Sequence, residues 1–174
     1  MKPAAIVISA TLALVLGIAG CGGSDQKTYK VKDPETGNTV EVQTSSNNQT
    51  MTITGEDENG APVSVTVTEG YQEGALPDWL PLYPGANVES AMTGGPAGEQ
   101  GALVSFTVDD SPSDVAAFYA EKVKAAGVVE MMQASAGETI MLGGELPDGS
   151  GVSLSFNPDG EGGTYASVTY VGKP

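Results

Sequence analysis

Three neighbouring carboxylates, Asp109, Asp110 and Asp114, come closest in this sequence to the spacing of a catalytic acid–base pair. Two such side chains facing each other across a cleft suffice to hydrolyse a glycosidic bond. The same carboxylates follow the pattern of a helix start, with Ser111 as the N-cap and Pro112 at the first helical position. Helix capping is the simpler interpretation. A carboxylate-only enzyme of the glycan hydrolase kind stays open as the alternative.

The amino-acid composition excludes most other kinds of catalytic and metal-binding site. The chain has 174 residues, with 22 Asp and Glu against seven cations, all of them Lys, and no His, so the net charge is -15. Without imidazole the usual base for a Ser or Cys nucleophile is missing, and so is the commonest transition-metal ligand. A strongly acidic protein is repelled by nucleic acid. We therefore expect no enzyme activity, no cofactor and no nucleic-acid partner.

The single cysteine, Cys21, lies at the end of an apolar stretch near the N-terminus. Lys2 precedes the apolar residues 4–16, and small residues follow at 17–20, which is the order of parts in an export signal. A membrane-spanning helix needs about 20 apolar residues, more than this stretch supplies. The order of these parts predicts a signal peptide over 1–20. Because a lone thiol cannot form an internal disulfide, we interpret Cys21 as a modification site.

The residues Ile18, Ala19, Gly20 and Cys21 resemble the lipobox of bacterial lipoproteins, with Ile where Leu is usual. The resemblance implies cleavage before Cys21 and attachment of a diacylglycerol and often a third acyl chain, such as palmitate. Two or three chains hold a protein firmly in a membrane, since each buried methylene contributes about 0.8 kcal/mol. The lipobox resemblance also implies that the protein is located in the bacterial cell envelope. In an organism with two membranes we expect the periplasmic side of the outer membrane, because Gly22 is not a signal for retention at the inner membrane.

After a short tether (21–26), residues 27–69 alternate apolar and polar side chains with the period of two that is typical of half-buried strands. Turn-forming residues separate four such runs, so the sequence predicts an antiparallel meander with one apolar face. We call this surface the apolar interaction face; it consists of Val40, Val42, Met51, Ile53, Val63, Val65 and Val67. The meander contains no helix to cover the face. A downstream segment, a second copy of the chain, a ligand or an envelope protein partner must do so.

Residues 70–86 form a Pro-rich strap with prolines at 77, 81 and 84. The strap is apolar for a linker and contains Trp79 and Leu80. We expect it to pack on a neighbouring surface, and covering the apolar interaction face is one way to do this. A Pro-rich peptide that binds the groove of a partner is the alternative.

Residues 87–174 predict a second module of order β-β-α-β-β-β-β. Its helix, over 112–126, ends before Gly127 and places Val115, Phe118, Tyr119 and Val123 on one face. The predicted fold class is therefore α+β: an N-terminal antiparallel β-meander followed by a small module with one helix packed on an antiparallel sheet.

A second resemblance is carried by the segment from Pro81 to Ala86, Phe106, Phe118, Tyr119 and the helix-ending Gly127. With these residues the second module resembles an uncharacterised domain of bacterial envelope lipoproteins. The resemblance covers about residues 76–174. It departs at Val128, where that family often has a bulky aromatic residue. It implies no known activity and no catalytic residue.

Two acidic turns, residues 56–60 and 157–161, are the remaining candidates for chemistry. The first lacks the alternating ligands and the terminal Glu of an EF-hand loop. Both are typical of hairpin tips, and a weak calcium-dependent adhesive module is the alternative. The sequence as a whole favours a lipid-anchored envelope protein with a non-catalytic binding or structural role, attached to the membrane through acyl chains on Cys21.

Overall fold

The computed structural model describes residues 27–32, 38–45, 49–57, 60–96 and 100–172. The strands of the first half are β1 (Lys27–Lys32), β2 (Thr39–Thr44), β3 (Thr50–Glu56), β4 (Pro62–Glu69), β5 (Asn87–Pro96) and β6 (Gln100–Val108). The helix α1 (Pro112–Ala125) and the strands β7 (Val129–Ala136), β8 (Thr139–Glu145), β9 (Gly151–Pro158) and β10 (Thr164–Gly172) follow. The predicted signal peptide 1–20 and the tether 21–26, with Cys21, lie outside the described residues.

These strands form one antiparallel sheet in the order β1-β2-β3-β4-β5-β6-β10-β9-β8-β7. The predicted fold class, an α+β protein made of a meander and a separate small module, is therefore wrong. The fold is β-rich, a single ten-stranded sheet that carries one short helix. The strands and the helix expected from the sequence are present, but they belong to one sheet.

The two halves join because the strap returns the chain beside the strand that it leaves. β4 pairs with β5 from Val63 opposite Pro96 to Glu69 opposite Ser90. An unpaired strand edge exposes a row of backbone N–H and C=O groups, and this pairing satisfies the facing edges of β4 and β5 together. The meander is consequently one end of the sheet.

The helix α1 begins and ends as its terminal residues dictate. The Ser111 side chain accepts a hydrogen bond from the Asp114 amide (3.3 Å), and Pro112 needs no amide partner at the first position. At the other end Gly127 takes a φ of +80°, a conformation that costs glycine little. The Val128 amide then donates to the Val123 carbonyl (3.3 Å), which closes a Schellman motif.

The main core lies between α1, the strap and the strands β6, β8, β9 and β10. Its fully buried side chains include Tyr119 and Val123 of the helix, Phe156 of β9 and Leu80 of the strap. Phe118, expected on the buried face of the helix, is only partly buried at the margin of this core. The helix therefore covers one side of the C-terminal half of the sheet.

The apolar side of the sheet changes from one face to the other along its width. Opposite residues in antiparallel neighbours point to the same face. One line of partners runs from β1 to β9 through Thr28, Gln43, Thr52, Thr66, Thr93, Ala102, Tyr170 and Val152. The adjacent line on the opposite face runs through Tyr29, Val42, Ile53, Val65, Gly94, Gly101 and Val171. Because Ala102 and Val152 belong to the core under α1, the first line marks the helix side, and the meander turns its apolar residues to the other side.

Candidate functional site

The apolar interaction face lies on the side of the sheet opposite the helix. Its members Val40, Val42, Met51, Ile53, Val63, Val65 and Val67 occupy alternate positions of β2, β3 and β4 and are all half-buried. Tyr29 and Val31 of β1 continue the surface at the sheet edge, where they are 46% and 45% exposed. Met92 of β5 continues it inward and is 40% exposed. The predicted face is thus brought together on one surface and extended by three further residues.

The strap packs on the other side of the sheet. Leu80 is completely buried in the core under α1, and Leu76 of the same segment is 5% exposed. The Trp79 ring meets the ring of Tyr170 edge-on, with the centroids 6.1 Å apart. The Tyr83 ring meets Phe118 of the helix in the same way at 5.0 Å. Since these partners lie on the helix side, the strap packs on its own protein, as expected, but does not cover the apolar interaction face.

The opposite surface of the meander is polar. It displays threonines and serines with a few charged and amide side chains, and the hydroxyls of Thr52 and Thr66 lie 3.3 Å apart across β3 and β4. Near the edge, Gln43 donates a hydrogen bond to Glu41 (2.8 Å), and the Lys30 ammonium lies 3.1 Å from the same carboxylate. These two contacts lower the pKa of Glu41. The meander therefore has one polar face and one apolar face.

The acidic cluster of Asp109, Asp110 and Asp114 lies at the start of the helix. Asp114 accepts a hydrogen bond from the Ser111 hydroxyl (2.7 Å), which completes the helix cap. Asp110 accepts a hydrogen bond from the Tyr83 hydroxyl (2.8 Å), a contact that raises the pKa of Tyr83. All three carboxyl-bearing residues are exposed. Asp110 and Asp114 are engaged in attaching the strap and capping the helix.

The acidic turns bind their own backbone. The Asp57 side chain accepts a hydrogen bond from the Ala61 amide (2.8 Å). The Asp159 side chain accepts bonds from the amides of Glu161 (2.8 Å) and Gly163 (2.9 Å). Both arrangements are the usual use of Asp in turns. Among the described residues, no group of three potential ligands of the His, Cys, Asp and Glu types is placed to hold a metal ion.

A shallow pocket of about 440 Å³ opens on the helix side, between the strap and the ends of β5, β6 and β10. Its walls include Gln72 and Glu73 of the strap, Thr93 of β5 and Tyr170 of β10. No sequence pattern predicted this pocket. Tyr170 could have been assigned to the core side, since it alternates with Ala166 and Val168, but no sequence signal places Gln72 and Glu73 beside it.

Cys21, the predicted lipidation site, lies outside the described residues. In the part of the chain that the structure describes, no helix is long and apolar enough to cross a membrane.

Residues 88–163 match a family model described as START domain-like. The match covers less than half of the 174 residues and spans most of β5, then β6, α1, β7, β8 and β9. START-like domains are generally ligand-binding rather than enzymatic, so the similarity agrees with a binding role. No curated protein and no solved structure matches the chain.

Proposed function

We propose that the chain is a lipid-anchored cell-envelope protein with a non-catalytic binding role, and that the apolar interaction face is its binding surface. The anchor is the set of acyl chains on Cys21, as the lipobox-like residues 18–21 imply. The location is the periplasmic side of the outer membrane in a two-membrane organism. The binding role is supported by the START-like similarity of residues 88–163.

The observation that carries this proposal is the position of the apolar interaction face. The helix and the strap, which are the segments able to cover a sheet, both pack on the opposite side. A contiguous, half-buried apolar surface that the helix and the strap do not cover is typical of an interaction site. The apolar interaction face contains no charged side chain, although the chain has a net charge of -15.

The anchor is tested by the mass of the protein isolated from bacterial membranes. We expect residues 1–20 to be absent and Cys21 to be acylated. The Cys21→Ala variant should leave the membrane fraction. A Cys21→Ala protein that stays wholly with the membranes would contradict the proposed anchor.

The binding surface is tested by photo-crosslinking in intact cells. A photoreactive phenylalanine at Ile53 lies on the apolar interaction face, and the same residue at Thr54 lies on the polar face one position further along β3. We expect a crosslinked product from position 53 and little from position 54. Equal yields at the two positions would contradict the assignment of binding to this face.

A further inference from the structure

The strand β1 is the part of the described sheet nearest to Cys21 in the sequence. Six residue steps separate Cys21 from Lys27, the first residue of β1. A fully extended chain of that length spans at most about 22 Å. If Cys21 is anchored, β1 and the adjoining apolar interaction face are therefore held close to the membrane surface.

The charge of β1 is opposite to that of the chain as a whole. Lys27, Lys30 and Lys32 are three of the seven lysines in the sequence, and the strand contains no acidic residue. Lysines also protect exposed sheet edges from pairing with other chains. The opposite edge strand, β7, contains no lysine, so this clustering of lysines is confined to the edge nearest to Cys21 in the sequence.

The apolar side chains of β1 are exposed beside these lysines. Tyr29 lies opposite Val42, and Val31 lies opposite Val40, so both belong to the surface of the apolar interaction face. Tyr is a residue that favours the boundary between lipid and water. Lysine reaches along such a boundary with its aliphatic stem while its ammonium group contacts lipid phosphates.

We propose that the occupant of the apolar interaction face is the surface of the bilayer that holds Cys21. Tyr29 and Val31 enter the interfacial layer, and Lys27, which lies on the same side of β1 as they do, binds a lipid phosphate at its rim. The inference rests on the proposed lipid anchor and names the partner of the same face.

The orientation follows from the two sides of the sheet. With the meander lying on the membrane, α1 and the strap face away from it. On the membrane side the C-terminal half presents serines at 153, 155 and 167 together with the exposed side chains of Met132, Met141, Tyr165 and Val171. The usual twist of a sheet, about 20° per strand, turns this half away from the plane of the meander. β7 lies about 43 Å along the sheet from β1, at nine strand spacings of about 4.8 Å.

Fluorescence quenching of the lipidated full chain in vesicles tests the contact. Tyr29→Cys, with Val31→Cys as a second variant, carries a polarity-sensitive dye; the acylated Cys21 has no thiol to react. Met132→Cys is the control, because Met132 is 75% exposed and its line of partners places it on the same side of the sheet at the opposite edge. The vesicles contain phosphatidylcholine and phosphatidylglycerol with nitroxide-labelled lipids. We expect quenching to be several-fold stronger at 29 and 31 than at 132.

Lys27 is tested by a matched pair of charge reversals. Lys27→Glu should reduce the quenching at position 29 on vesicles that contain phosphatidylglycerol. Lys124→Glu makes the same change in charge at an exposed position of α1 and should leave this quenching unchanged. Equal losses from the two variants would show an effect of net charge alone and would overturn the role of β1.

Three other results overturn the inference and separate it from the anchor. Vesicle-bound protein with as little quenching at 29 as at 132 would leave the anchor in place without the contact. Protection of position 29 only when envelope proteins are added would assign the face to a protein partner. A full chain that does not associate with vesicles or membranes at all would overturn the anchor together with the contact.

Discussion

The ring of Tyr119 in α1 lies nearly parallel to the ring of Phe156 in β9, with their centroids 5.6 Å apart and an angle of 16° between the planes. Both side chains are fully buried. The Tyr119 hydroxyl is buried and makes no hydrogen bond of good geometry with the described residues; its polar neighbour is the backbone of Tyr83. This stacked pair joins the helix to the sheet through its rings, and we expect the hydroxyl to contribute little to stability.

Replacing Tyr119 tests that division between ring and hydroxyl. Tyr119→Phe keeps the stacked ring and removes an unsatisfied polar group, so the melting temperature should be unchanged or higher. Tyr119→Ala should lower the free energy of unfolding by about 3–5 kcal/mol. A Tyr119→Phe protein that is less stable than the wild type by about 1 kcal/mol or more would show that the hydroxyl has a partner.

Because the Tyr119 hydroxyl is buried, we expect the protein to lose stability at alkaline pH. Burial raises the pKa of Tyr119 above its ordinary value of 10.0, so the folded chain keeps a proton that the unfolded chain loses. The unfolded state then binds fewer protons at high pH, and stability must fall as pH rises above about 10. Urea unfolding at several pH values should show Tyr119→Phe losing less stability than the wild type between pH 9 and 11. Parallel curves would contradict the shift.

Phe118→Ala should be milder than Tyr119→Ala. Phe118 is only partly buried, and its ring contacts the ring of Tyr83 at 5.0 Å and the Lys122 ammonium at 5.1 Å. Half of the burial of a large apolar side chain corresponds to a loss of about 1–2 kcal/mol. Thermal unfolding of the two variants side by side checks the order, and a loss at Phe118 as large as that at Tyr119 would place both rings in the core.

The strap has its own probe, since Trp79 is the single tryptophan of the chain. Leu80→Ala removes a completely buried side chain and should destabilise the fold by about 2–5 kcal/mol. Trp79, released from Tyr170, should then emit at longer wavelength. Leu82→Ala, at a partly buried position of the same strap, is the control and should change stability and emission less.

Local sequence patterns were sufficient for the elements of this fold. The alternation of valine and threonine predicted β2 to β4, and the Ser111 cap with Gly127 predicted the limits of α1. The pairing of β4 with β5 was missed because it joins strands separated by the 17 residues of the strap, and no local pattern specifies such a partner.

Local sequence patterns also could not predict which face of the sheet each apolar residue occupies. A one-residue irregularity between Val88 and Ser90 of β5 places Val88 in line with Phe106 on the helix side and Met92 in line with Leu103 on the other. A shift of one residue reverses the sides of every following residue in a strand. The members of the apolar interaction face could be predicted from period two, whereas its position opposite the strap required the assembled sheet.

Thiol reactivity at one pair of positions shows whether the apolar interaction face is open in the free protein and covered at the membrane. Val65→Cys lies on this face and Thr66→Cys on the polar face beside it. Each is labelled with a polar maleimide in the anchored chain and in the unanchored Cys21→Ala chain. We expect position 65 to react readily in the unanchored chain and several-fold more slowly in the anchored one, while position 66 reacts equally in both. Equal reactivity of position 65 in the two forms would contradict this expectation.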